Sequence, residues 1–244
     1  MIHELVTPLQ RQTLSANVYE QLKDILMSGK MMPGQQLSLR STADALNVSV
    51  MPVREATQRL VAENALEIGP SRMIRVPMMT ESQFREITSI RINLEGFATE
   101  QACKHINEDY LADIETLDSA FDKELNQENP DSTKLISINK DLHFAIYKAS
   151  EMPMLLQLIE ALWLRIGPIL NYDLRSGSKR LETRAIADHH TRLVKTLSHH
   201  SKLIKALKAR DVEAAKAALH SDIETATEFI IFSGTLPAVD QTPP

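Results

Sequence analysis

A single cysteine, Cys103, in 244 residues leaves no partner for an intrachain disulfide and no Cys-based zinc site, which fits a reducing cytoplasm. Only seven glycines, with 43% hydrophobic and 24% charged residues, describe a globular chain rich in helix rather than a disordered one. No long apolar run exists: the most hydrophobic stretch, Met154 to Leu170, is interrupted by Glu160, Arg165 and Pro168, and the first residues lack a basic-then-apolar leader pattern. No membrane partner is therefore expected. Internal repeats and the sequence signatures of nucleophile elbows or HExxH metalloproteases are also missing.

The net charge of −5 is unevenly spread. Residues 1–78 hold eight Lys/Arg and seven Asp/Glu, a net +1, and the remainder carries 19 against 25, a net −6. The length suits two modest domains, and a small basic domain on an acidic protein keeps nucleic-acid binding open.

Leu14, Val18, Leu22, Ile25 and Leu26 recur at helical spacing between Thr13 and Gly29, which predicts a first helix of about four turns. Pro33-Gly34 marks a turn with Gly at a positive-φ position. A second helix is expected from Leu39 to Leu46, N-capped by Ser38 and ended by Asn47, a residue that tolerates the left-handed conformation. Ser49 caps a third, with Pro52 in its first turn where the missing N–H costs no hydrogen bond, and Val53, Ala56, Leu60 and Val61 continue its apolar face. Two short β-favouring segments, Leu66–Ile68 and Met73–Val76, flank Gly69-Pro70-Ser71-Arg72 and read as a hairpin.

This is the order of a winged helix-turn-helix, in which the second helix probes the major groove. The exposed probe positions are then Val50, Met51 and Arg54, with Glu55 and Gln58 beside them. Arg54 is the candidate base reader, since a guanidinium bonds both acceptors of a guanine. Arg40 can meet phosphate or a base edge, and Arg72 can reach the minor groove from the wing. On periodicity alone, a small helical module with scattered exposed arginines fits equally well.

From Thr80 onward helical periodicity predominates, predicting helices over Ser82–His105, Asn107–Asn126, Thr133–Ser150, Met154–Tyr172, Leu181–Ala209 and Val212–Phe232. Ser176-Gly177-Ser178 and Ala209-Arg210-Asp211 are read as breaks. The fold class expected is mainly α: a winged helix-turn-helix at 9–78, an antiparallel all-helical bundle of about six helices at 79–232, and a loose tail at 233–244. A hinge is placed near Pro77 to Thr80.

The succession Pro33-Gly34, Leu37, Ala43, Leu46, Asn47-Val48-Ser49, Pro52-Val53-Arg54-Glu55-Ala56, Leu60 and a wing resembles the GntR family of bacterial transcription regulators. The resemblance implies DNA contacts by Arg40, Ser49 and Arg54. Where that family commonly has Arg followed by Thr, this chain has Val50-Met51, which offers only apolar contact such as to a thymine methyl and alters the expected operator sequence.

Residues 80–232 resemble the FCD sensor domain of the FadR subfamily, in its shorter VanR-like form. The likeness rests on Arg91 with Glu95, Asn139-Lys140-Asp141-Leu142-His143, Met152-Pro153, His190, and the run from Arg210-Asp211 to His220. It implies a homodimer on an inverted-repeat operator of double-stranded DNA, a small-molecule effector, and a repressor in the cytoplasm. In many members an Asp and three His hold a divalent metal. By position these are His143, His190 and His220, with Asn139 standing where Asp is usual.

Helical geometry adds to this: Asn139 and His143 are four residues apart on a face shared with Ile136 and Ile146. His190 shares a stripe with Leu193, Val194 and Leu197, and His220 sits at the core edge with Ala217, Ile223 and Thr227. Such donors suit zinc or nickel, and buried histidines satisfied by hydrogen bonds alone are the competing reading. Arg91 is placed at the same cavity, with Arg165, Asn171 and Tyr172 beside it, either to receive an effector carboxylate or to form a structural ion pair. His3, His105, His189, His199 and His200 are read as surface residues, and Trp163 as core. A metal-dependent hydrolase using the three His, and a protein-binding helical adaptor, are the rival functions.

Overall fold

The computed structural model describes residues 14–176, 184–232 and 236–237, with the side chains of residue 71 and of residues 171–195 outside the described set. Local signals set the ends of its helices. Helix α1 spans Leu14–Met27 and buries Val18, Tyr19, Leu22 and Leu26. The chain then turns at Gly34, whose φ of 76° suits glycine, and Gly34 N–H bonds the Val76 carbonyl at 2.9 Å. Helix α2 (Leu39–Leu46) begins at Ser38, whose side chain accepts the Ser41 N–H, and ends at Asn47 in the left-handed region. Helix α3 (Val50–Ala62) has Ser49 at its N-cap, but the Ser49 hydroxyl makes no capping bond.

Strands β2 (Glu67–Ile68) and β3 (Ile74–Arg75) form the wing around a 3₁₀ turn at Pro70–Arg72. The sequence pattern gave no sign of the third strand, β1 (Gln36–Leu37). The sheet order is β1-β3-β2, antiparallel throughout, with Leu37 opposite Ile74 and Ile68 opposite Ile74. A two-residue strand carries almost no periodicity, so only its pairing reveals it.

Six further helices follow: α4 (Glu81–His105), α5 (Glu108–Leu125), α6 (Ser132–Lys148), α7 (Pro153–Ser176), α8 (Arg184–Ala209) and α9 (Val212–Phe232). A capping box between Thr80 and Gln83 starts α4, and Asn107 and Asp131 cap α5 and α6. The Pro153–Leu170 stretch of α7 is long and apolar enough to cross a membrane, yet half of it is buried inside the protein. Ile159, Trp163 and Ile166 are its core contacts.

Helix α1 belongs by sequence to the winged module, but it packs on α7 of the bundle as well as on α3. Buried residues of both segments form one continuous core cluster. Two ion pairs close this seam, Lys23 to Glu160 at 2.6 Å and Lys140 to Asp24 at 2.5 Å. Beyond α9, Leu236 packs on the core and the Pro237 carbonyl accepts Glu81 N–H at 3.1 Å, so the tail expected to be loose is tied at that point to the start of α4.

Candidate functional site

In the winged module, α3 buries Pro52, Val53, Ala56, Thr57 and Leu60 and leaves Arg54, Glu55 and Gln58 exposed, with Met51 62% exposed and Val50 partly covered. These residues lie on one helix face because they recur at three and four positions. Ser49 and Arg40 are exposed as well, and Arg72 stands exposed at the wing with φ +60°. The arginines divide into two sets. Arg59 is held by Glu63 at 3.0 Å and stacks over the Tyr19 ring, and Arg75 is held by Glu67 at 2.6 Å. Arg40, Arg54 and Arg72 have no ion-pair partner among the described residues, and remain available to phosphates or bases.

In the bundle, one turn of α6 brings Asn139 and His143 to the same side, as their spacing implies. His143 is buried, and its Nε2 lies 3.1 Å from Asp222 Oδ2 on α9. The fully buried His200 of α8 contacts Asn139 Oδ1 through Nε2 at 3.0 Å. Donor atoms of His143, His200 and Asp222 all lie within 4.8 Å of one another. Asp222 Oδ1 and His200 Nδ1 are buried without a hydrogen-bond partner. Burial pushes the Asp222 carboxyl up, but the neighbouring imidazoles, His143 foremost with His200 and His199 behind it, hold it below its ordinary value. A cavity of about 50 Å³ opens here, lined by Arg91, Asn139, His143, Trp163, Thr196 and Asp222 among others. Two imidazoles, one carboxylate and one amide oxygen make a donor set that fits a borderline divalent ion.

This arrangement corrects several sequence expectations. His220 is not at the site: its side chain is 48% exposed and pairs with Glu224 at 3.0 Å on the surface of α9. His200, read as a surface residue, is instead fully buried in the site, and Asp222 supplies the carboxylate that Asn139 lacks. Helical spacing contained the signal. His200 lies three, four and seven residues before Leu203, Ile204 and Leu207, and Asp222 lies three, four and seven after Leu219, Ala218 and Ala215, all of them buried. Arg165 is exposed and does not line the cavity. The side chains of His190 and Tyr172, like that of Asn171, lie outside the described residues. Arg91 does line the cavity, but it is already paired with Glu95, Nε at 2.7 Å and Nη2 at 3.2 Å, the structural ion pair that sequence reasoning had left as an alternative.

Residues 14–76 match the bacterial regulatory proteins of the gntR family, and residues 86–225 match the FCD domain. The chain belongs to the GntR family. It is 32% identical over 211 residues to the HTH-type transcriptional regulator McbR of Escherichia coli K12, covering 86% of this chain and 90% of that one. The gluconate operon transcriptional repressor of Bacillus subtilis 168 is 25% identical over 218 residues, 88% of this chain and 84% of that protein. Among solved structures, E. coli McbR/YncC superposes with a TM-score of 0.80 at 28% identity, covering 92% of this chain and all of that one. This GntR protein is therefore a transcriptional regulator with a winged DNA-binding module and an FCD effector-binding bundle. A hydrolase finds no support, since these relatives are named as regulators or repressors.

Proposed function

We propose that the chain is a cytoplasmic homodimeric repressor that holds an inverted-repeat operator with two winged modules, residues 9–78, and senses its effector through residues 79–232. A lone winged domain spans too few base pairs for useful specificity, and two-fold protein symmetry is matched by palindromic half-sites. The exposed, unpaired Arg54 supports its role as base reader. Arg40, Ser49 and Arg72 serve backbone or groove contacts, and Val50 and Met51 offer apolar surface to thymine methyls.

The bundle, on this reading, holds one zinc or nickel ion through His143, His200 and Asp222, with Asn139 adjoining. The observation that carries it is the buried Asp222 Oδ1, without a hydrogen-bond partner, beside His143 at a small cavity whose lining is largely apolar, because a buried carboxylate oxygen with no donor is costly unless a cation meets it. A small organic acid then approaches the cation rather than Arg91, whose guanidinium Glu95 already engages. The cavity of about 50 Å³ admits a cation with a few waters or a very small acid.

The test is a gel shift of the full chain on DNA from upstream of its own gene, at several salt concentrations, with metal-stripped and zinc-reloaded protein. Specific, salt-sensitive binding that changes with zinc supports the reading. Failure to take up stoichiometric zinc would reject the cation site, and identical affinity of both forms would reject its sensing role.

A further inference from the structure

Behind His143 runs a line of hydrogen bonds whose direction can be worked out from donors and acceptors alone. It starts at Glu95, which is fully buried on α4. Arg91 Nε and Nη2 approach Glu95 at 2.7 and 3.2 Å, and Trp163 Nε1 at 3.0 Å. These nitrogens only donate, and a carboxylate facing a guanidinium only accepts. Tyr147 Oη lies 2.5 Å from Glu95 Oε2, so the phenol gives its single proton to Glu95.

The phenol oxygen then has only lone pairs left. His143 Nδ1 lies 3.1 Å from it and must therefore be the donor. In a neutral imidazole with Nδ1–H, Nε2 carries the lone pair. That lone pair faces Asp222 Oδ2 at 3.1 Å, so two acceptors point at one another, and either a second proton on the ring or a metal cation between them satisfies both. The opposite tautomer, Nε2–H, would donate to Asp222 and close the site as an ordinary His–Asp hydrogen bond.

We propose that Tyr147, oriented by Glu95, is a positioning residue that commits His143 to the Nδ1–H form and thereby keeps its Nε2 open as a cation ligand. The proposal rests on reading this cluster as a divalent-cation site. Partners behind metal-binding imidazoles commonly set ring orientation and tautomer in this way. Here the partner is a phenol, and its own orientation is enforced from a neighbouring helix by an acceptor that three N–H groups already hold in place. Arg91 and Glu95 thus acquire a role in the site without touching the ion.

The experiment uses the full chain in three forms: wild type, Tyr147→Phe, and Thr88→Val as a control that removes another buried hydroxyl contact, to Thr227 at 3.3 Å. Two quantities are read, zinc affinity by competition with a chelating dye, and the His143 protonation form by 15N-histidine NMR, in which the two tautomers and the doubly protonated ring give distinct signals. The expected result is a roughly 10- to 100-fold loss of zinc affinity in Tyr147→Phe, with His143 shifting away from Nδ1–H and the control matching wild type in both. Zinc affinity within twofold of wild type in Tyr147→Phe, or equal losses in Thr88→Val, would overturn the proposal. An Nε2–H His143 in the wild type would overturn it without any variant. If the wild type binds no zinc, the cation-site reading fails, and the tautomer alone decides the role of Tyr147: Nδ1–H lost in Tyr147→Phe upholds it, and an unchanged tautomer rejects it.

Discussion

Gly167 of α7 lies so close to Leu26 of α1 that a Cβ in place of its hydrogen would come within 2.3 Å of the Leu26 carbonyl oxygen and 2.7 Å of Met27 Cα. The sensor bundle and the first helix of the winged module thus meet backbone to backbone. A displacement of α7 would be passed to α1 through a contact with no side chain to absorb it.

Replacing Gly167 with Ala is expected to cost about 1–3 kcal/mol, because the obstacle is main chain and cannot rotate away. Operator affinity should change with it, as α1 is displaced from α7. Gly96→Ala is the comparison, since nothing lies within 4 Å of a Cβ built there and Ala favours the helix by up to about 1 kcal/mol. Thermal melts and operator titrations of the two variants check this: a harmless Gly167→Ala would mean that the seam is loose.

Lys140, next to Asn139 on α6, reaches Asp24 of α1 at 2.5 Å. Burial pushes the Asp24 carboxyl up, but the hydrogen bond and charge of Lys140, with Lys30, hold it below its ordinary value. A depressed carboxylate pKa contributes stability that is complete above the unfolded value, near 4, and is lost as pH falls through the lower folded value. Because the Asp24 side chain is 50% exposed, solvent screening limits the pair to about 1 kcal/mol. Asp24→Asn should therefore lower stability near neutral pH by about that amount and flatten the acid limb of its pH profile below 4. An unchanged acid limb would remove Lys140 as a tie between the units.

His200→Ala and Asp222→Asn should abolish stoichiometric zinc or nickel uptake, whereas His220→Ala should leave it intact. Elemental analysis after gentle purification and back-titration reads the difference. Uptake lost equally from His220→Ala, whose side chain is on the surface, would contradict the assignment of the ligands.

Arg54→Ala should weaken specific operator binding by about 1–3 kcal/mol and relax one base position. Arg40→Ala, if it serves phosphate, should weaken all sequences alike and lower the salt slope by about one. Arg59→Ala should instead lower the melting temperature with little effect on DNA, because Arg59 is held by Glu63 and Tyr19. Operator titrations in parallel with melts separate the three roles.

Near-neighbour physics made most of the fold legible in the chain. Ser38, Asn47 and Pro52 act within a few residues of themselves, so the bounds of α2 and α3 follow from caps and breakers alone. The apolar stripes of α4 to α9 placed those helices within a few residues of their observed ends. Strand β1 escaped because two residues hold no pattern until Arg75 and Ile74 lie opposite them.

The candidate site divides along the same line. Asn139 and His143 share one helical turn, so the sequence alone determined that they point the same way. Whether His220 or Asp222 joins them depends on how α9 is rotated about its axis. Two residues apart on a helix is about 200° of turn, enough to exchange core for surface. His200 or its neighbour His199 poses the same choice on α8, where Phe121 packs edge-on against the His200 ring at 5.2 Å and fixes it inside. Only packing between helices set those rotations. The remaining partners of Glu95 were beyond local reading: Arg91 is its neighbour on α4, but Tyr147 and Trp163, which complete the buried network, come from α6 and α7. Periodicity reports which face of a helix is apolar, whereas convergence of polar groups from several helices is decided by the tertiary fit that buries those faces together.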